Sequence, residues 1–182
     1  NMLAVMDGRP ETLSLRQILE ANIDFQFDIA TRKYRNLLEK EEKKREVQEG
    51  LIRACDIIDL IIEILRGCKN QKQAKDCLMN GITEGITFKS EKSRKMAAKL
   101  DFTEAQANAI LQMRLYRLIG LEIDALMAEN KKTLENIAAY TDILNNYDSM
   151  ARVIIKELRA CQKEFGRERR TLIEDAEEIV IE

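Results

Sequence analysis

The stretch TEAQANAILQMRLYRLIGLE, Thr103 to Glu122, decides how the rest of the chain is read. Thr103 followed by Gln106 is a capping-box pattern, in which the threonine oxygen and the glutamine side chain each satisfy an orphan backbone donor. A helix is therefore predicted to begin at Thr103. Projected at about 100° per residue, its apolar side chains fall almost all the way round. Ala107, Leu111, Leu115 and Leu118 share one side, and Ala109, Ile110, Met113 and Tyr116 cover most of the other. A helix apolar all round is buried on both sides. Two readings stay open: a central core helix, or a helix with one face on its own core and the other against a partner chain.

Outward from this helix the chain reads as long helices. Upstream, Ser14 is the expected cap of a first helix, and no proline interrupts the sequence from there to Gly67. Such a helix spans about 50 residues, or ~75 Å at 1.5 Å per residue, so something must pair with it along its length. Val47, Leu51, Ala54, Ile58, Ile61 and Leu65 form a heptad seam, and Ile23, Phe27, Ala30, Tyr34 and Leu37 form another. Between them EKEEKKRE, Glu39 to Glu46, puts Glu41 and Lys44 where the seam should run, and is read as a solvated face with pairs such as Glu39–Lys43. Gly67 is the expected C-terminal glycine. Gln71 to Asn80 is a short amphipathic helix. From Gly81 to Leu100 the pattern breaks into turns and a basic loop with Lys89, Lys92, Arg94, Lys95 and Lys99. Downstream of Gly120, which allows a bend, a second long helix carries Ile123, Met127, Asn130, Leu134, Ile137, Thr141 and Leu144. Asn145 to Asp148 interrupts it, and Asp148 or Ser149 caps a continuation through Met150, Ile154, Leu158, Cys161 and Phe165 to Gly166.

The economical architecture is all-α: a long antiparallel coiled-coil arm with a small helical knob at its tip, and a short β-strand at the N-terminus. The expected organisation is a strand and turn over 1–13, a first arm helix over 14–66, a globular knob over 67–121, a returning arm helix over 122–166 broken near 145–148, and a tail over 167–182. NMLAVM, Asn1 to Met6, reads as a strand paired with chain outside this sequence, which would leave Met2, Leu3 and Val5 under-buried.

Composition supports helices and excludes several chemistries. Charged residues make up 34% and aromatics 5%, with a single proline, Pro10. The net charge of −2 gives no argument for a nucleic-acid or membrane surface over the whole chain. There is no histidine, and Cys55, Cys68, Cys77 and Cys161 contain no CxxC pair, so a zinc site is a poor candidate. Cys55 and Cys161 sit at apolar helical positions and read as small core residues, reduced in a cytoplasmic setting. No run of about 18 apolar residues is present.

The motifs resemble a known family. FTEAQANAILQMRLYRLIGLE, Phe102 to Glu122, is similar in its EAQA, AIL, MRL and GLE groups to the A subunit of bacterial type IIA topoisomerases, DNA gyrase and topoisomerase IV. GRERRT, Gly166 to Thr171, with Ile173 after it, resembles the G-x-x-RRT-x-I that closes the second arm in that family. NMLAVMDGRP followed by SLRQIL looks like the edge of the tower region, and TRKY (Thr31 to Tyr34) and EGL (Glu49 to Leu51) fall in order between. The resemblance covers essentially the whole chain. Two departures stand out: the link Gly81 to Leu100 is longer than usual, and Phe25-Gln26 stands where the family often has histidine-arginine.

The resemblance implies a fragment of an ATP-dependent type IIA DNA topoisomerase, an isomerase, that dimerises through the knob. It implies an exit gate that opens and closes to release the transported duplex. Ile110, Met113, Arg114, Tyr116 and Leu118 are the residues expected at or beside the dimer contact. The same resemblance implies a full cytoplasmic protein with an ATPase B subunit, double-stranded DNA, Mg and ATP, while the fragment needs no cofactor. No catalytic residue carries over: Tyr34, Tyr116, Tyr140 and Tyr147 all lack the family's arginine-tyrosine context. The wrapping domain that separates gyrase from topoisomerase IV would follow LIEDAEEIVIE, Leu172 to Glu182. The rival reading is a non-enzymatic helical-arm scaffold that binds another protein. An autonomous enzyme is weaker still, with no Gly-rich phosphate loop and no nucleophile beside a base.

Overall fold

The computed structural model describes residues 2–114 and 120–172. They form an all-α fold with a short N-terminal β-hairpin. Contacts divide the chain into two units, Asn1–Ala30 with Asn146–Glu182, and Thr31–Asn145.

In the first unit, β1 (Met2–Met6) pairs antiparallel with β2 (Arg9–Leu13), Met6 opposite Arg9 and Met2 opposite Leu13. Asp7 and Gly8 have φ of 50° and 78°, the two positive values that a type I′ hairpin turn requires. Within the chain Arg9–Leu13 supplies a partner strand for Met2–Met6, and Pro10 is tolerated because a two-stranded ribbon is all edge. Leu3 and Val5 stay 75% and 74% exposed. Ser14 and Gln17 then exchange capping bonds at the start of α1 (Leu15–Asp56), as its sequence predicts: the Gln17 N–H donates to Ser14 Oγ and the Ser14 N–H to Gln17 Oε1. Asn146 caps α7 (Tyr147–Phe165) through its side chain, two residues before the expected cap, because its oxygen reaches the Asp148 N–H at 3.0 Å. Phe27 and Tyr147 stack with ring centroids 4.9 Å apart. The α7 stripe is buried at Met150 and Ile154 but exposed at Leu158, Cys161 and Phe165, so Cys161 is not the core residue its spacing predicts.

The second unit holds the main core. The first long helix does not run to Gly67: Ile57, at φ −115° and ψ 29°, separates α1 from α2 (Ile58–Gly67). No proline or glycine marks that break. It shifts the helical phase, so Leu60, Ile61 and Ile64 are buried while Leu65 is exposed. Gly67 is the last helical residue with an extended residue after it, not a left-handed terminator. Its role is close approach, since a Cβ there would lie 2.3 Å from the Thr87 carbonyl oxygen. α3 (Gln71–Asn80) is capped by Asn70 and ends in left-handed Gly81 at φ 64°. The basic stretch is helical rather than a loop: Ser90 caps α4 (Glu91–Ala97) and orders Lys92, Arg94 and Lys95 on it. Backbone bonds from Thr87 to Gly67 and from Phe102 to Leu78 tie the connecting stretches down.

Leu51 and Ala54 of α1, the three α2 residues, Cys77 and Leu78 of α3, Ala97, Leu100, Phe102, and Ala107 and Ile110 of α5 (Glu104–Leu111) form one core. α1 also lies antiparallel to α6 (Gly120–Asn145), with Gln48 beside Asn130 and Tyr34 beside Tyr140. The α6 seam is rotated from the expected one. Ile123, Asn130, Ile137 and Leu144 turn inward as predicted, but Leu126, Thr133 and Tyr140 alternate with them, leaving Met127, Leu134 and Thr141 exposed. Apolarity misled the pattern here, because Thr133 is more deeply buried than either Met127 or Leu134.

Truncating Ile64 to alanine should lower the unfolding free energy by roughly 2–5 kcal/mol, measured by urea denaturation, because its side chain lies wholly inside the core. Gly81→Ala should also be destabilising, since it meets both a positive φ and the Ala98 carbonyl oxygen 2.3 Å from the new Cβ.

Candidate functional site

The predicted capping box forms as read. The Gln106 N–H donates to Thr103 Oγ1 at 3.3 Å, and the Thr103 N–H donates to Gln106 Oε1 at 3.0 Å. Both side chains do more than cap. Thr103 Oγ1 donates to Glu46 Oε1 at 2.6 Å, and Gln106 Nε2 donates to the Glu46 carbonyl oxygen at 2.8 Å. The start of α5 is thereby latched to the last third of α1. Gly50 makes the approach possible, as a Cβ there would sit 2.4 Å from Gln106 Cγ.

Two ion pairs flank the latch. Arg53 Nη1 reaches Asp101 Oδ1 at 2.6 Å while its guanidinium lies 4.5 Å from the centre of the Phe102 ring. Lys75 Nζ of α3 reaches Glu104 Oε1 at 2.6 Å. That hydrogen bond, reinforced by the lysine charge, holds the Glu104 carboxyl below the usual glutamate range and outweighs a slight opposing desolvation. These partners stand 29 and 48 residues apart in the chain, which is why no local pattern reveals them.

The helix predicted over Thr103 to Glu122 ends at Leu111. Gln112 is its cap, and Met113 and Arg114 are not helical. Ile110 is 3% exposed, packed in the chain's own core. Met113 is half-buried beside Leu51, Cys55 and Leu126, and Arg114 is exposed. Tyr116 and Leu118, like the acidic tail beyond Leu172, lie outside the described residues. Of the five expected contact residues, the structure thus brings Ile110 and Met113 to one core and leaves Arg114 at its edge.

Three thiols near this segment are raised above the usual cysteine range. Burial pushes the Cys77 thiol up to about 11, with Cys68 adding to the effect. Burial also raises Cys55, with help from Asp56, and Cys68. Raised thiols are poor nucleophiles near neutral pH. Tyr34 and Tyr140 pack on each other across α1 and α6, and Tyr147 stacks on Phe27. Among the described residues, no group of three or more Asp, Glu, Cys or His side chains gathers to hold a metal, and no helix is long and apolar enough to cross a membrane.

A hydrogen-bonded latch thus joins a capped helix to a long antiparallel pair. The family model for the A subunit of DNA gyrase/topoisomerase IV matches residues 1–159. The chain belongs to that A-subunit family. It is 36% identical over 174 residues to the DNA topoisomerase 4 A subunit of Staphylococcus epidermidis, covering 96% of this chain and 20% of that protein. It is 36% identical over 183 residues to the protein of the same name from Staphylococcus aureus, covering 100% of this chain and 21% of that protein. The chain therefore spans about a fifth of the length of the curated relatives it matches.

The Glu104 carboxyl provides a pH test. Its folded pKa lies below its unfolded one, so its stabilising share is present above the ordinary glutamate pKa and is lost as pH falls through the lower folded value. In an NMR titration Glu104 should show a midpoint below that of an exposed glutamate, and Lys75→Met should return it to the ordinary range. An unchanged midpoint in that variant would remove Lys75 as the cause.

Proposed function

We propose that this chain is the arm and exit-gate part of a type IIA topoisomerase A subunit. In this reading 14–66 and 122–166 are the arm, 67–121 is the knob, 1–13 is the edge of the tower, and 167–182 leads onward. Two knobs meet across a two-fold axis and separate to release a transported DNA duplex. The observation that carries the reading is family membership over nearly the whole chain, combined with a core that anchors α5 and delivers Met113 and Arg114 at its end.

The contact we propose centres on Met113 and Arg114 and continues through Tyr116 and Leu118, with Ile110 supporting it from inside. An arginine next to a polarizable methionine suits a surface that must close repeatedly. The chain's own role is mechanical. Strand cleavage, Mg and ATP use belong to the full cytoplasmic protein, which works with its B subunit on double-stranded DNA. The raised thiols and the packed tyrosines support a part without reaction chemistry of its own.

Analytical ultracentrifugation is the direct check. The chain should sediment as a dimer at micromolar concentration. Arg114→Glu should weaken association at least about tenfold, since two introduced acids face each other across a two-fold contact. Met113→Glu should do the same, with circular dichroism confirming that the helices persist. A chain that is monomeric throughout would sink the contact assignment.

A further inference from the structure

The α1–α6 seam changes character along its length. On one side Tyr34 and Leu37 lie on the α1 seam, with Ile137, Tyr140 and Leu144 on α6. On the other, Leu51 of α1 lies beside Leu126 of α6. Between these apolar stretches the seam is polar: Glu41, Arg45 and Gln48 on α1, Asn130 and Thr133 on α6. The Glu39–Glu46 run is largely solvated and forms the Glu39–Lys43 pair as its sequence predicts, but Glu41, Arg45 and Glu46 within it are partly buried. Gln48 is 4% exposed and Thr133 1%.

This layer is poorly satisfied. Glu41 Oε2, Arg45 Nε and Gln48 Nε2 are buried and have no hydrogen-bond partner within the protein. Arg45 Nε stands 3.8 Å from Glu49 Oε1, too far for a hydrogen bond. The side-chain bond from Asn130 Nδ2 to Gln48 Oε1 across the layer is long at 3.4 Å. Lys44 reaches Glu129 at 2.7 Å, but both side chains are half-exposed, and such pairs add little. Buried polar groups left unmade in the closed pair regain water when it opens.

The backbone of both helices is weakened at the same level. α1 carries Gly50 in its interior, a residue of low helix propensity. On α6, Thr133 Oγ1 donates back to the Glu129 carbonyl oxygen at 3.1 Å, a bond that slightly loosens and bends helices.

We infer that this polar layer is a built-in opening point, at which α1 and α6 part and bend first, over 41–50 and 129–133, while the apolar stretches on either side stay closed. The inference concerns the helix pair itself and does not depend on contact between two copies of the chain. Hydrogen exchange read by mass spectrometry on the whole chain tests it. Peptides covering 41–50 and 129–133 should exchange about tenfold faster than those covering 51–56 and 137–144. Replacing both bonded amides, Gln48→Leu with Asn130→Leu, should slow exchange in the layer to the rate of its flanks. Thr133→Val, which removes only the back-bond, should slow the 129–133 peptide about twofold or more and serves if the leucine pair fails to fold. Layer exchange no faster than the flanks in the native chain overturns the inference. So does a folded variant whose layer exchanges as in the native chain.

Discussion

The carbonyl of Glu46 is where the second unit is held together. It sits in the last third of a helix of 42 residues, whose stability comes largely from tertiary packing. Gln106 supports it by donating to that carbonyl while also accepting from the Thr103 backbone. One glutamine therefore caps α5, fixes its angle of entry, and pins it to α1. Gly50 is the condition for all three, because any side chain there would displace Gln106. The helix-propensity loss of a buried glycine, about 1 kcal/mol, is the cost of that approach. Arg53 extends the same junction by pairing with Asp101 over the Phe102 ring.

From this junction two kinds of packing run in different directions. Beyond Ile57 the chain turns into a dense core in which Ile64, Cys77, Leu78, Ala97 and Ala107 are wholly buried. Small residues at Ala97 and Ala107 let α4 and α5 close on α2 and α3. Towards Asn145 the α1–α6 pair has only one seam to bury, and part of it is polar. A well-packed core resists change because any shift leaves voids. A two-helix seam with unsatisfied polar atoms resists much less. Stiffness and compliance are thus placed side by side in one unit.

That division suits a part whose task is movement without chemistry, which is the role proposed for it. Cys55, Cys68 and Cys77 are raised by burial, and Tyr34, Tyr140 and Tyr147 are taken up in ring contacts. The segment proposed to meet its own copy begins where α5 ends, directly on the rigid core. A contact made from Met113 and Arg114 inherits the precision of that core, whereas compliance lies farther along α1 and α6.

The sequence by itself determined the all-α class, several helix starts, and the family resemblance. The Thr103–Gln106 box, the Ser14 cap, the Gln71–Asn80 helix and every second residue of the α6 seam are local patterns, and local hydrogen bonding and periodicity are written in adjacent residues. The hairpin was half-legible, in the Asp7-Gly8 turn. Tertiary structure alone decided the rest. It broke the first helix at Ile57, ended α5 at Leu111, ordered Lys92 and Arg94 on a helix, and turned Thr133 inward in place of Leu134. It also joined Glu46 to Gln106 and Lys75 to Glu104. The physical reason is the same in each case. These outcomes depend on partners tens of residues away, and the burial gained across the whole fold outweighs the preference of any single side chain.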